Sequence, residues 1–391
     1  MNEATELATA RKSPLHETHV RLGARLLERD GWLIPASYGD ELFEYAAVRE
    51  RGAGVIDLSS RGRFLVSGTE AVQFLNGLIT NDMKTLADGQ WMPAAFPNVQ
   101  GRLLASIRVA RLKDEFLLDT EAATRAQVLN TLQRFTLAGD FHVSDITDQT
   151  ALLSIQGKGA AGIFLAVVDG EKAGARPENS VDQIEWRQKQ LTVLHATHTS
   201  EDGFDVVADS GDSEAIWTAL THAKAQPVGY DALERLRIEA GVPRYGIDVD
   251  EGTVVTEALE DVVSYAKGCY IGQEIIARIK YRGHVAKKLV GMTFDRIVKL
   301  SDDRTIRSAD GREIGRITSA TLSPHLGRTI ALGYVKYDYV TPGTAVKLSG
   351  SAGEIAAHVS ELPFIRGRWY ADRKVHHRDT EDTEIGAVNG T

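Results

Sequence analysis

Near residue 286 the texture of the sequence changes, and this limits the fold more than any other feature. Before that point, short β-prone runs alternate with amphipathic helical patterns. After it, "LVGMTF", "GREIGRITSATLSP", "TIALGYV" and "AVKLSG" are short β runs separated by Gly, Asp and Pro. Strands in close succession, with no helical period between them, specify a small all-β barrel or sandwich. The chain thus reads as a first region over 14–286 and a β domain over 287–366. Residues 367–391 carry "DRKVHHRDTEDTE" and no apolar period, so this tail is expected to be disordered.

The first region reads as α+β with mostly antiparallel sheet. Helices are expected over Glu17–Arg29, Glu70–Leu78, Ala122–Thr136, Glu214–Lys224 and Asp231–Ala240, where apolar residues recur at helical spacing. Arg63–Val66 alternates as a short strand that Gly68 closes. Leu103–Val109 and Glu115–Leu118 read as a hairpin, and "ALLSIQG" as a buried strand. Leu191–His195 and Phe204–Val207 read as two further strands around "HTSEDG".

Charge and composition narrow the function classes. The net charge is −9, which argues against a broad nucleic-acid footprint. One cysteine cannot form an internal disulfide, and this fits a reducing compartment. Residues 1–20 mix charged residues with no apolar core of a signal peptide, and no stretch reaches membrane-spanning length. A cytoplasmic protein without a membrane partner is the expectation. His16 and His19 could share a helix face, but no Cys or third His lies near them, so no metal site is expected.

Two motifs invite chemistry. "GKGAAG" fits G-x-G-x-x-G, yet it lies mid-chain among antiparallel-type strands and lacks the acidic strand end of a dinucleotide site. It reads as a tight strand-to-helix turn. The stretch "SYAKGCYIGQEIIARIKYRGH" is more informative. Gly268 permits a sharp bend, Gln273 and Glu274 suit a first helical turn, and Ile275, Ile276 and Ile279 suit its buried face. Cys269 then falls at or near a helix N-terminus, two residues from Lys267. Both features would favour a thiolate. The competing reading is a small buried hydrophobe.

"KGCYIGQE", with the flanking "ARIKYRGH", resembles the signature of YgfZ-type folate-binding proteins. These are relatives of the glycine-cleavage T-protein that are linked to iron–sulfur cluster assembly or repair. Residues 14–365 are similar to the T-protein superfamily through "FLNGLITNDMKTLADG", "RLRIEAGVPRYGIDVD" and "GRITSATLSPHLGRTIALGYV". The resemblance implies a T-protein-like three-lobed fold with a C-terminal β-barrel, holding tetrahydrofolate or a one-carbon derivative in a central hole. It implies that Asp205 in "DGFD" reads the pterin, that Arg237 clamps the folate and that Tyr245 lines the same hole. Ala105, followed by Ser106, stands where the T-protein carries its catalytic carboxylate, and alanine cannot move a proton. Cys269, with Lys267, is then the candidate for chemistry. The implied function is a folate-binding accessory protein whose partners are iron–sulfur client proteins or assembly factors. The alternatives are a tetrahydrofolate-dependent aminomethyltransferase or demethylase, and a binding module with no cofactor.

Overall fold

The computed structural model describes residues 10–134, 136–137, 139–168, 177–350 and 353–370. Among these residues every strand pairing is antiparallel except two short edge pairs, at Arg11–Lys12 and at Gln226–Pro227. No helix among them is long and apolar enough to cross a membrane.

The first lobe is a five-stranded sheet in the order Trp91–Pro97, Leu103–Leu112, Glu115–Thr120, Gly62–Ser67, His142–Asp145. Alternation in the second strand explains its two faces. Leu103, Ala105, Ile107 and Val109 are buried, while Leu104, Ser106 and Arg108 point the other way. The apolar face meets helix Ala71–Leu78 through Ala71, Leu75 and Leu78, and helix Arg125–Gln133 through Val128 and Leu132. Phe64, Phe96 and Phe141 complete this core. Each fully buried Leu or Phe contributes about 1.5–3 kcal/mol.

The second lobe is a six-stranded sheet with Thr150–Gln156 near its middle, between Gly203–Asp209 and Gly54–Asp57. That strand is buried on both faces, which matches the unbroken apolar run "ALL" followed by "SIQ". One face packs on helices Ala160–Val168 and Ser213–His222. The other, through Leu152, Leu194 and Val207, joins Ala110 and Leu117 of the first lobe in a shared core. The "GKGAAG" run is the turn into helix Ala160–Val168. Gly157 sits at φ +137, and a Cβ there would lie 2.6 Å from the Gly52 carbonyl oxygen. These glycines make room for neighbouring backbone.

The third lobe is a closed barrel of six strands between Lys287 and Ser360. Met292, Phe294, Ile317, Val335 and Val359 fill it.

Two expectations change. The helix expected over Glu17–Arg29 spans only His16–Arg21. Gly23 turns the chain at φ +72, and Leu26 and Leu27 enter strand Arg25–Arg29, which pairs with Trp32–Ser37. Leu26 and Leu27 are both half-buried and so mimic a helical stripe, while the bulge in this pairing falls on the partner strand at Ala36. The expected disorder from 367 starts too early. Arg368–Tyr370 forms a turn, with Trp369 buried and its N–H donating to the Ser200 carbonyl at 3.2 Å. Residues 371–391 of that tail lie outside the described residues.

A buried ion cluster joins the lobes. Arg49 is fully buried and donates to Glu239 Oε2 at 2.8 and 3.1 Å and to Glu201 Oε1 at 3.0 Å. Tyr45 and Ser323 hydroxyls also donate to Glu239, and Glu201 Oε2 accepts the Arg368 N–H. Removing one partner strands charges away from water, at a cost of about 3–5 kcal/mol. Arg49→Met should lower the denaturant-unfolding free energy by about that much. An unchanged unfolding midpoint would contradict the assignment.

His195 gives a pH test. Its Nε2 lies 2.7 Å from Asp202 Oδ1 and its Nδ1 3.1 Å from the Pro177 carbonyl, so both nitrogens face acceptors. Burial lowers its pKa, but Asp202 and the Pro177 carbonyl outweigh this and raise it above the ordinary value. The imidazolium therefore stabilises the fold fully below about pH 6.5. That contribution is lost as pH rises through the higher folded pKa. The stability difference between wild type and His195→Gln should shrink from pH 5.5 to pH 8.5, leaving only what the neutral ring contributes by packing on Phe204 and Trp369. A constant difference across that range would rule the imidazolium out.

Candidate functional site

A cleft opens where strands Trp32–Ser37 and Gly54–Asp57, helix Tyr230–Glu239 and the rim of the first lobe converge. Ile34, Ile56, Val228 and Leu233 form its apolar wall; Arg61, Glu121 and Arg244 form its polar wall. The Tyr230 ring lies between two guanidinium groups, Arg29 at 4.6 Å and Arg244 at 4.5 Å from its centroid. An apolar wall with a few convergent charges is the usual form of a small-molecule site.

From Arg61 a chain of alternating charges runs between the first two lobes. Arg61 Nε donates to Asp119 Oδ1 at 2.6 Å, and Arg108 Nε to Asp119 Oδ2 at 2.8 Å. Arg108 Nη1 then donates to Asp205 Oδ2 at 2.6 Å, and His198 Nε2 lies 2.9 Å from the same oxygen. Asp205 is fully buried. Burial alone would raise its pKa, but His198 and Arg108 hold the carboxyl well below the usual range. Asp119 is likewise held low, by Arg108 and Arg61 against burial. The result is an ionised carboxylate, Asp205, bridged by Arg108 to the opposite lobe.

Of the other residues singled out in the sequence, Tyr245 borders the cleft through Glu121, while Arg237 and the cysteine loop lie apart from its lining. Arg237 is buried where its helix meets the barrel, and it donates to Asp248, to Glu234 and, at 2.7 Å, to Ser319 Oγ. These partners, with the Val242 carbonyl at 3.1 Å, take both terminal nitrogens, while its buried Nε has no partner among the described residues. Tyr245 is half-buried and packs beside Val249, Val255 and Tyr270, while its N–H donates to Glu121 Oε1 at 3.2 Å. Ala105 faces the apolar core of the first lobe; Ser106 is the residue of that pair on the face of Arg108. Neither can supply a carboxylate. Arg108, Asp119 and His198 escape the motif reading because they come from separate strands and loops. Strand alternation alone, however, sets Ser106 and Arg108 on one face.

The cysteine loop is held from both sides. Lys267 is buried, and its Nζ donates to three carbonyls: Asn76 at 2.7 Å, Ile79 at 2.9 Å and Asn81 at 2.7 Å. Burial pulls this ammonium down to about 8. With its three protons engaged, it is not available to the Cys269 thiol. On the other side the Ile271 N–H donates to the Gly77 carbonyl at 3.0 Å, and Gly272 caps helix Gln273–Arg282 at φ +79. A Cβ at Gly272 would lie 2.4 Å from the Asn98 carbonyl oxygen, so this position needs glycine. Cys269 precedes the cap and is exposed, which overturns the buried-hydrophobe reading. Folded protein should therefore release one equivalent of thionitrobenzoate with Ellman's reagent without denaturant. Labelling that begins only after unfolding would refute the exposed position.

Comparison with known proteins places this architecture. The GCVT N-terminal domain matches residues 15–267, and the glycine cleavage T-protein C-terminal barrel domain matches residues 287–365. An aminomethyltransferase from Thermus thermophilus is 33% identical over 356 residues, covering 91% of this chain and 99% of its own length. One from Rubrobacter xylanophilus is 34% identical over 372 residues, covering 93% and 96%. The crystal structure of glycine cleavage system aminomethyltransferase T from Bartonella henselae superposes with a TM-score of 0.83 at 25% identity, covering 91% of this chain and 98% of that one. Two matched domains and near-complete coverage show that the chain belongs to the glycine cleavage T-protein family.

Proposed function

We propose that this protein binds tetrahydrofolate or a one-carbon derivative at the lobe junction and serves tetrahydrofolate-dependent one-carbon transfer of the aminomethyltransferase kind. The observation that carries the reading is Asp205, an ionised carboxylate buried between two lobes and held by Arg108 and His198. An aminopyrimidine edge offers N–H donors that such a carboxylate accepts. The aminomethyltransferase names of relatives at 33% and 34% identity support the same reading. The chain's own contribution is orientation: Asp205 accepts the ligand's N–H groups, and Arg108, still held by Asp119, keeps the neighbouring lobe in place.

A second reading, a YgfZ-like accessory role in iron–sulfur cluster assembly or repair, is favoured by two observations. Neither Ala105 nor Ser106 is an acid, and Cys269 presents an exposed thiol on a clamped loop. One thiol cannot hold a cluster by itself, so a client protein or assembly factor would complete the ligand set.

Calorimetric titration of 5-formyltetrahydrofolate tests the common ground. Wild type should bind, and Asp205→Asn should bind at least about tenfold more weakly, since charged hydrogen bonds are worth about 1.5–3 kcal/mol. Equal affinity for both would remove Asp205 from the site. Ammonia release from an aminomethyl-lipoyl carrier protein then separates the readings. Turnover supports transfer; no turnover, with iron–sulfur enzyme activity lost in a Cys269→Ala strain, supports the accessory role.

A further inference from the structure

A second carboxyl, Glu121, faces the cleft and is not consumed by the charge chain. Its position follows from register. Strand Glu115–Thr120 sets Thr120 opposite Ile107. The next residue, Glu121, is still extended, at φ −64 and ψ 151, and so continues the strand beside Ser106. Thr120 is fully buried and points inward, where its hydroxyl donates to the Ser106 carbonyl at 2.9 Å. A period of two then sets Asp119 and Glu121 together on the opposite face, the face of Arg108.

The two acids differ in what they meet. Asp119 is ion-paired to Arg61 and Arg108. Among the described residues Glu121 receives one hydrogen bond at its carboxyl, from the Tyr245 N–H to Oε1, and no ion pair. It nevertheless lines the cleft with Arg61, Arg244, Tyr230 and Leu233. Burial raises its pKa, and the lowering effects of Arg61 and Arg244 do not cancel this. A carboxyl in an apolar-walled cleft with one protein donor is poorly compensated, and a ligand N–H at its second oxygen would relieve that cost.

We propose that Glu121 is a ligand-binding carboxyl, whose Oε2 accepts an N–H donor of the reduced folate held in this cleft. The proposal rests on the folate reading above and adds a residue to it. The acid that this face of the sheet offers a ligand thus sits on the strand next to Ala105 and Ser106, where neither residue is acidic.

The test is calorimetric titration of 5-formyltetrahydrofolate into the full-length wild type, Glu121→Gln and Glu121→Ala, with thermal unfolding of each protein. Gln keeps the shape and the acceptor from which Tyr245 benefits but removes the charge. Both variants should bind at least about tenfold more weakly than wild type. Glu121→Gln should keep the wild-type unfolding temperature. In the Glu121→Ala background, Ser106→Asp should recover part of the affinity, because it returns a carboxyl to the same face; a structural role for Glu121 would not produce this. Wild-type affinity in Glu121→Gln, or no recovery with Ser106→Asp, overturns the proposal and leaves the folate reading intact. No heat with wild type defeats the folate reading itself, and this proposal with it.

Discussion

The contact of Arg49 with Glu201 and Glu239 is the constraint on which the assembly of the lobes depends. These side chains are fully or almost fully buried and come from three places: a helical segment near the N-terminus, a loop of the second lobe, and the helix that supports the barrel. Ion pairs of this kind gain little net energy, because removing the charges from water costs about as much as their attraction returns. Their effect is directional. A guanidinium that must satisfy two carboxylates admits one relative placement of the parts that carry them. The Tyr45 and Ser323 hydroxyls at Glu239, and the Arg368 N–H at Glu201, extend that requirement to the barrel and the C-terminal turn.

The cleft is a consequence of that placement. Its apolar wall comes from the second lobe and its supporting helix, and its charges come from Arg61 and Glu121 at the rim of the first and from Arg244, which follows that helix. Arg108 crosses the gap between Asp119 and Asp205, so one side chain both closes the lobe interface and fixes a carboxylate beside the cleft. A ligand that took over part of Asp205 would loosen one side of this bridge while Asp119 kept the other. Binding there would therefore be linked to lobe packing through one arginine.

The cysteine loop obeys a different logic. Lys267 and Gly272 anchor it at either end, one by three carbonyls and one by close approach to the Asn98 carbonyl. The short span between them holds Cys269 outward, with no covalent or ionic partner for the thiol among the described residues. The neighbouring lysine, which adjacency in the sequence marks as an activator, is spent on backbone. Sequence distance says which residues are near; it does not say which way an ammonium on a four-carbon stem will turn.

Much of the architecture was legible in the chain. The change of texture near residue 286 marks the β domain, and the structure shows that its strands close into a barrel, which leaves no open edge. Alternation in Leu103–Leu112 marks a half-buried strand, and Gly157 marks a turn against backbone rather than a phosphate loop. The stretch Leu22–Arg29 misled, since Leu26 and Leu27, adjacent in a strand, are both half-buried and so look helical. The site was legible only in part. Asp205 stands in a motif and lies at the junction, whereas Arg237, from an equally clear motif, serves the helix–barrel joint. Sequence by itself determined the family, the two textures of the chain and most of the strands and helices it marks, because these depend on local period and spacing. Tertiary structure alone decided that Arg108, Asp119 and His198 gather at Asp205, that Glu121 lines the cleft, that Lys267 turns away from Cys269 and that the thiol is exposed. Those outcomes depend on contacts between residues distant in sequence, and no local pattern encodes the direction in which a long charged side chain finds its partner.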